Sequence, residues 1–411
     1  MKTVQEHKNV QCTMNNVQWK KVRFDGFFDM LPTNTLSRDK LNSQRGEYQN
    51  IHYGDVLIKY PYCLDCNDNE IPYINDGVKF NTAEVKDGDV IFADTAEDDT
   101  VGKCVEVLNV GDRKIVSGLH TYFCRPKYKL APGYLGYFLN SNHFHNQLLP
   151  YIAGSKVSSV NRTSIARTYI SYPADLSAQR RIAAILTSAD KVIDSTRKTI
   201  AKYKQMKQGM MEDLLKPKEG WKMVKLGECC ETELGKTLDE GRNTGQYRPY
   251  LCALNVLWGK IDTTTIKQMR IEDSELERYL VKKGDLLVCE GGEIGRCAIW
   301  NSDDEIYYQN ALHRVRFYNE FEPMFFMYLL CFYNDLRIIE KYGKGLTIKH
   351  LNQTSFRNIP VYVPDLPAQR RIAAILSGID AKIAAEEKVL DKYGKVKKGL
   401  MEKLLEVKNE Y

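Results

Sequence analysis

Two short phrases in this chain contain the residue types that a metal-dependent nuclease needs. Pro364-Asp365 is followed by Glu386-Glu387-Lys388, the order of carboxylates and lysine found in such sites. The side chains would have to converge on one metal ion. A continuous helix rises 1.5 Å per residue, which would place Glu386 and Lys388 about 30 Å from Asp365. The spacing therefore argues against a DNA-cleaving site.

Cysteine and histidine spacing is the second possible source of metal ligands. Cys63 and Cys66 could form half of a zinc site, but no second pair follows, and His143 and His145 are too isolated to complete it. We expect no metal. The eleven scattered cysteines are typical of reduced thiols in a cytoplasmic protein. No apolar run approaches membrane length, and the first residues lack a signal-peptide core.

Glycine-rich and catalytic motifs give no sign of a cofactor. The chain contains neither a GxxxxGK[ST] phosphate loop nor an Asn-Pro-Pro-aromatic methyltransferase motif. The run from Gly291 to Gly295 lacks the dinucleotide fingerprint, and it is either a flexible loop near DNA or a plain hairpin turn. We therefore expect no cofactor and no catalysis.

The elements that position these residues are organised around one internal repeat. Leu176 to Leu215 and Leu366 to Leu405 align without a gap and share 21 of 40 positions, including AQRRIAAIL in full. A repeat of this length that occurs only twice indicates a duplicated unit rather than a solenoid.

Each copy of the repeat carries a heptad stripe, so each is predicted to be a helix about 60 Å long. The nearest partner for each stripe is the other copy, although each helix could instead pack on a separate domain. The predicted pairing positions are Ile182, Leu186, Ile193, Ile200, Lys207, Ile372, Leu376, Ile383, Glu386 and Leu390.

Polar residues interrupt both stripes at equivalent positions and suggest a register for an antiparallel pair. One register places Lys207 opposite Glu386 and Thr196 opposite Lys397, which would give the glutamate a partner on an apolar seam. A second register, shifted by about one turn, leaves Glu386 near Ile200. We favour the first register.

The segments before the two helices, residues 19–175 and 221–365, share a set of short phrases. Gly-Asp turns followed by apolar residues predict strands, and aromatic-rich stretches predict helices. The predicted strands are Lys86–Phe92, Lys282–Val288 and Gly54–Ile58, and the predicted helices are 134–151 and 324–342. Other shared phrases are Gly102-Lys103-Cys104 with Gly295-Arg296-Cys297, Gly118-Leu119-His120 with Ala311-Leu312-His313, and VNRTSI with LNQTSF. The pattern predicts an α+β domain that occurs twice, with different surfaces on a common frame.

On these residues the chain resembles the specificity (S) subunits of type I restriction–modification systems. Two motifs carry the resemblance, and each is present twice: Leu-x-Ala-Gln-Arg-Arg-Ile-Ala-Ala-Ile-Leu and Lys-x-Gly-x-Met-Glu-x-Leu-Leu. The match covers the chain after the first 18 residues or so.

The resemblance implies an α+β fold with two target-recognition domains, each a mixed β-sheet with helices. Two long helices would join the domains as an antiparallel coiled coil with pseudo-two-fold symmetry. The implied boundaries are 1–175 and 216–365 for the recognition domains, 176–215 and 366–405 for the helices, and 406–411 for a C-terminal tail.

The resemblance also implies a function without catalysis. Each recognition domain would read one half of an asymmetric, bipartite site in double-stranded DNA, and the helices would set the spacer. Two methyltransferase (M) subunits and restriction/translocase (R) subunits would supply the chemistry. The alternative is a coiled-coil scaffold or adaptor that does not read DNA. Such a protein would not need two domains that differ from each other on matching helices.

Charge does not mark an obvious DNA surface. The first helix carries 8 Lys/Arg against 4 Asp/Glu and the second 9 against 5, so the rest of the chain sums to −2. Any phosphate-binding surface must be locally clustered or completed by a partner. The basic helices could also be explained as solvated faces.

Candidate DNA contacts come from polar loops that could reach phosphates or base edges, with family analogy adding others. Each could equally be part of a solvated loop. They are Lys156, Ser158, Asn161, Arg162, His120, Arg296, Gln309, Asn310, His313, Lys344, Thr347 and Lys349.

Overall fold

The computed structural model describes residues 17–98, 100–154, 157–239, 241–345 and 349–406. They divide into two compact units, and the division falls inside both long helices, between Arg197 and Lys198 and between Lys388 and Val389. The first unit therefore combines the N-terminal half of the chain with residues 389–406. The second unit is continuous in sequence.

The first unit contains a five-stranded sheet and a four-stranded sheet. In spatial order the larger sheet is Phe28–Leu31, Thr121–Pro126, Val90–Ala93, Cys104–Leu108 and Cys63–Asp65, with only the last pair parallel. The smaller sheet is Ile115–Ser117, Gln49–Ile51, Tyr73–Ile74 and Leu41–Asn42. Two ribbons complete the unit, Trp19–Arg23 with Tyr169–Pro173 and Thr95–Ala96 with Ser158–Ser159.

The second unit repeats this plan with fewer strands. Its antiparallel four-stranded sheet is Cys230–Leu234, Leu312–Phe317, Leu286–Cys289 and Cys297–Ile299. Its three-stranded sheet is Lys267–Ile271, Gln246–Leu251 and Tyr307–Tyr308. The ribbons are Lys222–Lys225 with Pro360–Val363 and Val256–Leu257 with Lys260–Ile261.

The helices are two very long ones and several short ones. The long helices are Leu176–Leu215 and Leu366–Leu404. The shorter α-helices are Phe24–Phe27, Tyr134–Leu139, Asn142–Leu148, Arg162–Ile165, Leu276–Tyr279, Pro323–Asp335 and Gln353–Arg357. Single helical turns lie at Arg38–Lys40, Asp55–Lys59, Leu149–Tyr151, Leu226–Glu228, Ala253–Asn255, Asp273–Glu275 and Ile339–Lys341.

In each unit the main core packs the head against both long helices. In the first unit Ile182 and Leu186 share a buried cluster with Met401 and Leu404. In the second unit Ile372 and Leu376 share one with Met211 and Leu215. Within each unit the apolar stripe at the start of one helix is thus covered by the end of the other.

The strand expected at Gly54–Ile58 is wrong, because Asp55–Lys59 forms a wide helical turn. The carboxylate of Asp55 accepts two hydrogen bonds from Arg38, at 2.8 and 3.0 Å. The amide of Tyr60 closes the turn on the Asp55 carbonyl at 2.9 Å. The Gly-Asp pair therefore starts a turn here, as expected, but the turn continues as a helical one and not into a strand.

The aromatic stretch predicted as one helix over 134–151 is interrupted. Ser141 separates its two helices and caps the second, accepting a hydrogen bond from the Phe144 amide at 3.4 Å. In the second unit Pro323–Asp335 is continuous but ends seven residues before the predicted end at Tyr342, and Ile339–Lys341 forms a separate turn. Across the residues that the structure describes, every helix is too short or too polar to cross a lipid bilayer.

Candidate nucleic-acid interface

A buried aspartate organises the central hairpin of each head. In head 1 (residues 17–175) Asp89 accepts a hydrogen bond from the Lys86 amide at 2.7 Å and binds Arg125 through both carboxylate oxygens, at 2.9 and 2.7 Å. Gly88 adopts φ 84°, which the turn between them requires. The Lys-x-Gly-Asp phrase therefore has a structural role, holding a turn and its neighbouring strand.

Head 2 (residues 216–365) repeats the arrangement with Asp285. The Lys282 amide donates to it at 2.8 Å, and Arg316 donates at 2.8 and 2.7 Å. Because Asp89 and Asp285 mark the same point in each hairpin, residues in the two heads can be matched by strand register rather than by sequence phrase.

Strand register corrects one expected correspondence. Tyr122 lies opposite Phe92, and His313 lies opposite Val288, which is likewise three residues after the hairpin aspartate. His313 therefore corresponds to Tyr122, and the counterpart of His120 is Ala311. The shared Leu-His letters had instead paired His120 with His313, which lies two residues after Ala311.

His313 is also not at the surface, so the expectation that it contacts DNA is wrong. Its side chain is fully buried and stacks on Phe356, with ring centroids 5.7 Å apart. Its Nε2 lies 2.7 Å from the Leu351 carbonyl oxygen. Tyr122 makes the same bond in head 1, where its hydroxyl donates to the Val160 carbonyl at 3.0 Å.

The residue after each of these carbonyls caps a short helix. Asn161 accepts a hydrogen bond from the Ser164 amide at 2.8 Å, and Asn352 accepts one from the Ser355 amide at 2.9 Å. The phrases VNRTSI and LNQTSF therefore encode one capped turn. The Asn161 side-chain oxygen is engaged in this cap, although the side chain is exposed.

Loops of head 1 bring several of the predicted contacts together. The strand pair Thr95–Ala96 with Ser158–Ser159 places Ser158 beside the end of the central hairpin. There the Asp94 amide donates to the His120 carbonyl at 3.2 Å, and the Val160 amide donates to the Asp94 carbonyl at 3.0 Å. His120 is exposed, and its Nδ1 lies 3.4 Å from Asp94.

Arg162 leaves the same loop, and its guanidinium donates to the Met30 carbonyl at 3.1 Å while remaining exposed. The structure thus groups His120, Ser158, Asn161 and Arg162 on one edge of head 1. Lys156 lies outside the described residues.

The corresponding edge of head 2 is formed by the ends of the central hairpin and by the turn at Lys344. The Leu351 amide donates to the Glu290 carbonyl at 2.7 Å, and Lys344 and His350 exchange main-chain hydrogen bonds at 2.9 and 2.8 Å. Lys344 and Lys349 are exposed, the latter 3.8 Å from Glu340. Thr347 lies outside the described residues.

Gln309 and Asn310 follow the short strand Tyr307–Tyr308 and are half-buried. The Asn310 amide side chain donates to the Thr237 hydroxyl at 3.4 Å. Both lie at the beginning of the turn that leads into strand Leu312–Phe317.

Arg296 is largely engaged in internal contacts. Its guanidinium donates to the Ala253 carbonyl at 2.7 Å and to Glu293 at 3.2 Å. Lys103, which precedes the equivalent strand in head 1, donates to the carbonyls of Leu57 and Tyr60 at 2.8 and 3.1 Å. These cations hold loops in place, so Arg296 is a weaker candidate for a direct base contact than its charge suggested.

The glutamine that both AQRRIAAIL phrases contain joins each long helix to its head. Gln179 accepts from the Ala131 amide at 2.8 Å and donates to the Pro173 carbonyl at 2.7 Å. Gln369 accepts from the Glu322 amide and donates to the Pro364 carbonyl, both at 2.9 Å. Both glutamines are buried, and their identity within the repeat was the signal that could have predicted this role.

Seven of the ten predicted helix-pairing residues are buried. Ile182, Leu186, Ile193 and Ile200 are buried on the first long helix, as are Ile372, Leu376 and Ile383 on the second. Lys207, Glu386 and Leu390 are partly exposed.

The predicted helix register is wrong. Lys207 binds Asp380 with a Nζ–Oδ1 distance of 2.7 Å, and Lys397 binds Asp190 at 2.5 Å. The partners lie six residues from those expected, Glu386 and Thr196. Each lysine binds an aspartate of the other long helix, whereas the prediction sought a partner for Glu386 and placed Lys397 opposite a threonine.

The chemistry of the buried ionisable groups is structural. Burial raises the pKa of the Cys66 thiol to about 11, and burial likewise raises that of Cys63 well above its usual value. Burial raises the pKa of Glu106 to about 7, and its carboxylate accepts from the amides of Gly133 and Gly136, both at 2.8 Å. Among the described ranges, no cluster of three His, Cys, Asp or Glu side chains could hold a metal ion.

Two relatives match part of the chain. The chain is 26% identical over 338 residues to the putative type I restriction enzyme MjaX specificity subunit of Methanocaldococcus jannaschii, covering 77% of each chain. It is 25% identical over 211 residues to the EcoKI specificity subunit of Escherichia coli, covering 46% of this chain and 45% of the relative.

Solved structures show the same fold. The S subunit of the type I restriction–modification system from M. genitalium aligns with a TM-score of 0.61 and 17% identity, covering 96% of this chain and 98% of that one. A structure described for complex assembly and conformational transition of the type I R-M system aligns with a TM-score of 0.56 and 17% identity, covering 95% and 98%.

The family model for the type I restriction modification DNA specificity domain matches twice, over residues 16–205 and 218–392. Each match includes one head with its Asn-capped turn, its hairpin aspartate and its glutamine-joined helix. The chain therefore belongs to the type I restriction–modification DNA specificity family.

Proposed function

We propose that this chain is the specificity subunit of a type I restriction–modification complex, in which each head reads one half of an asymmetric bipartite site in double-stranded DNA. This proposal rests on one observation: the two heads share their central hairpin and capped turn, but the side chains on the adjoining loops differ. At matched positions head 1 has the exposed His120 and Arg162, whereas head 2 has the half-buried Ala311 and Gln353, and the Gln353 amide donates to the Thr232 hydroxyl. Different side chains on equivalent loops would read different base sequences.

The proposal assigns residues 1–175 and 216–365 to target recognition and the long helices to setting the spacer. Their candidate DNA contacts are the exposed residues on the two edges, among them Arg162 in head 1 and Lys344 and Lys349 in head 2. Arginine and lysine there would bind phosphates, which hold the protein in register without specifying sequence.

The chain would act without catalysis of its own. Two methyltransferase subunits would dock on it and carry out methylation, and restriction/translocase subunits would join them. Because the chain outside the long helices carries a net charge of −2, it would bind DNA weakly until such partners add phosphate contacts. We also propose a cytoplasmic location, where its buried thiols would stay reduced.

Co-expression with the cognate methyltransferase subunit tests this function. In a host without its own adenine methylation, methylome sequencing should reveal one bipartite motif with two different half-sites and a fixed spacer. Purified chain alone, supplied with S-adenosylmethionine, should transfer no methyl group to DNA. A scaffold that does not read DNA would leave methylation absent or unspecific, and methyl transfer by the chain alone would show that it is an enzyme.

A further inference from the structure

In each unit a tyrosine of the head contacts a lysine–aspartate ion pair that joins the two long helices. In the first unit the Tyr137 hydroxyl donates to Asp190 Oδ2 at 2.8 Å, while Lys397 binds the other carboxylate oxygen of Asp190. The Lys397 ammonium also lies over the rings of Tyr62 and Tyr137, 4.2 and 5.7 Å from their centroids. Three separate chain segments of the unit therefore meet at one carboxylate.

The second unit contains the same cluster. The Tyr328 hydroxyl donates to Asp380 Oδ2 at 2.7 Å, and Lys207 binds Oδ1 at 2.7 Å with its ammonium 5.3 Å from the Tyr328 ring centroid. Thr187 and Ser377 add a second hydroxyl near the two tyrosines, at 3.1 and 3.4 Å. The arrangement is thus retained in two heads whose surfaces differ.

Both clusters are more enclosed than a neighbouring ion pair between the same helices. The Lys397 and Asp190 side chains are 16% and 24% exposed, whereas those of Lys204 and Glu387 are 59% and 51% exposed. Water screens the exposed pair, but it screens an enclosed pair much less. Burial also raises the pKa of both tyrosines, so their hydroxyls remain protonated donors.

The geometry of each cluster restrains more than helix pairing. An ion pair between the two long helices, such as that of Lys204 with Glu387, links only the helices. The tyrosine adds a directional hydrogen bond from a short helix of the head, Tyr134–Leu139 or Pro323–Asp335. Its aromatic ring and its hydroxyl engage both members of the ion pair, which restricts tilting of the head on the helices.

We propose that Tyr137 with Asp190 and Lys397, and Tyr328 with Asp380 and Lys207, are positioning residues that determine how strictly the spacer length of the DNA site is selected. This inference rests on the proposed function, in which the helices set the distance between half-sites. A head that can tilt on its helices would accept a half-site displaced by one base pair. The bases that each head reads would remain the same.

The test uses the full chain assembled with its methyltransferase subunits, in the variants Tyr137→Phe, Tyr328→Phe and both together. Phenylalanine keeps the ring packed and removes only the hydroxyl. Methylation rates are measured on duplexes that carry both half-sites with the native spacer or with one base pair added or removed. We expect the preference for the native spacer to fall about tenfold, the equivalent of one hydrogen bond to a charged group. The preferred half-site sequences should not change.

A matched control is Lys204→Met with Glu387→Gln, which removes an exposed ion pair between the same helices without touching a head. It should keep the parent spacer preference. Equal relaxation in the control would assign the effect to the coiled coil as a whole and overturn the inference.

An unchanged spacer preference in the double phenylalanine variant would also overturn it, provided that the parent complex discriminates spacers. A parent complex that methylates without any spacer preference would contradict the proposed function itself. Thermal unfolding of each variant, measured alongside, identifies a general loss of folding, which would lower the rates on all duplexes without altering their ratio.

Discussion

The Nε2 nitrogen of His313 lies 2.7 Å from the Leu351 carbonyl oxygen, in a position that a tyrosine hydroxyl occupies in the other head. The bond requires a proton on Nε2, and the buried Nδ1 has no hydrogen-bond partner among the residues that the structure describes. Burial lowers the pKa of His313, although the bond to Leu351 opposes the shift. The Leu351 carbonyl and the Glu290 carboxylate favour a positive charge on the ring, but the cost of burying that charge is larger, so the native state favours the neutral imidazole.

This burial predicts a loss of stability at acidic pH. As the pH falls below about 6.5, the unfolded chain binds a proton at His313 that the native state binds only at lower pH. The free energy of unfolding should then decrease by up to about 1.4 kcal/mol per pH unit. His313→Gln, which keeps a donor but cannot titrate, should remove this contribution.

Urea unfolding followed from pH 7.5 to 5 measures the effect. Burial lowers the pKa of His52 and His143 as well, so the comparison is the difference between the variant and the parent. Parallel pH profiles for the two proteins would show that His313 does not contribute.

Asp285, the buried aspartate of the central hairpin in head 2, should be required for the stability of the chain. Asp285→Ala would leave Arg316 and the Lys282 amide without their partner, and breaking a buried ion pair costs about 3 kcal/mol. Urea unfolding of the isolated full-length chain should show this decrease. Asp303→Ala removes the exposed pair with Lys283, where Asp303 is 84% exposed, and should leave the unfolding free energy within error of the parent.

Gln369, which joins the second long helix to its head, should also be required for the stability of the chain. Gln369→Met removes the acceptor for the Glu322 amide and the donor to the Pro364 carbonyl, which should cost about 1–3 kcal/mol. Amide hydrogen exchange at Glu322 should accelerate. Gln208→Met, on an exposed surface of the first long helix, is the control, and faster exchange in both variants would indicate a nonspecific effect.

Exchange of one head should alter half of the DNA target. Replacing residues 221–365 with the equivalent segment of a related subunit preserves both long helices and their ion pairs. We expect methylome sequencing to show one changed half-site, with the other half-site and the spacer length retained. A change in both half-sites would show that the heads do not read DNA independently.

Local periodicity was enough to predict the long helices, because the heptad stripe is continuous over each copy of the repeat. It also identified Lys207 and Lys397 as interface residues. It could not identify their partners, since the register depends on contacts with Tyr328 and Tyr137 from distant parts of the chain. One signal was available: Asp190 and Asp380 are identical positions of the repeat, as are the two lysines.

Matching by short phrases failed where strand register determines equivalence. The letters Leu-His at His120 and His313 suggested a common surface role, but the hairpin aspartates place the two histidines two residues apart. The capped turns at Asn161 and Asn352 were recognised as related phrases because their function is local. Which loop side chains contact bases has no periodic signal, so the list of candidate contacts remains a prediction.

The division of the chain inside both long helices has a consequence for its biosynthesis. Residues 198–388 are contiguous, so the second unit can complete its core as soon as they leave the ribosome. The first unit cannot, because Ile182 and Leu186 are covered by Met401 and Leu404. The first head to be translated is therefore the last to be finished, and its apolar helix face stays exposed to chaperones until the end of the second helix emerges.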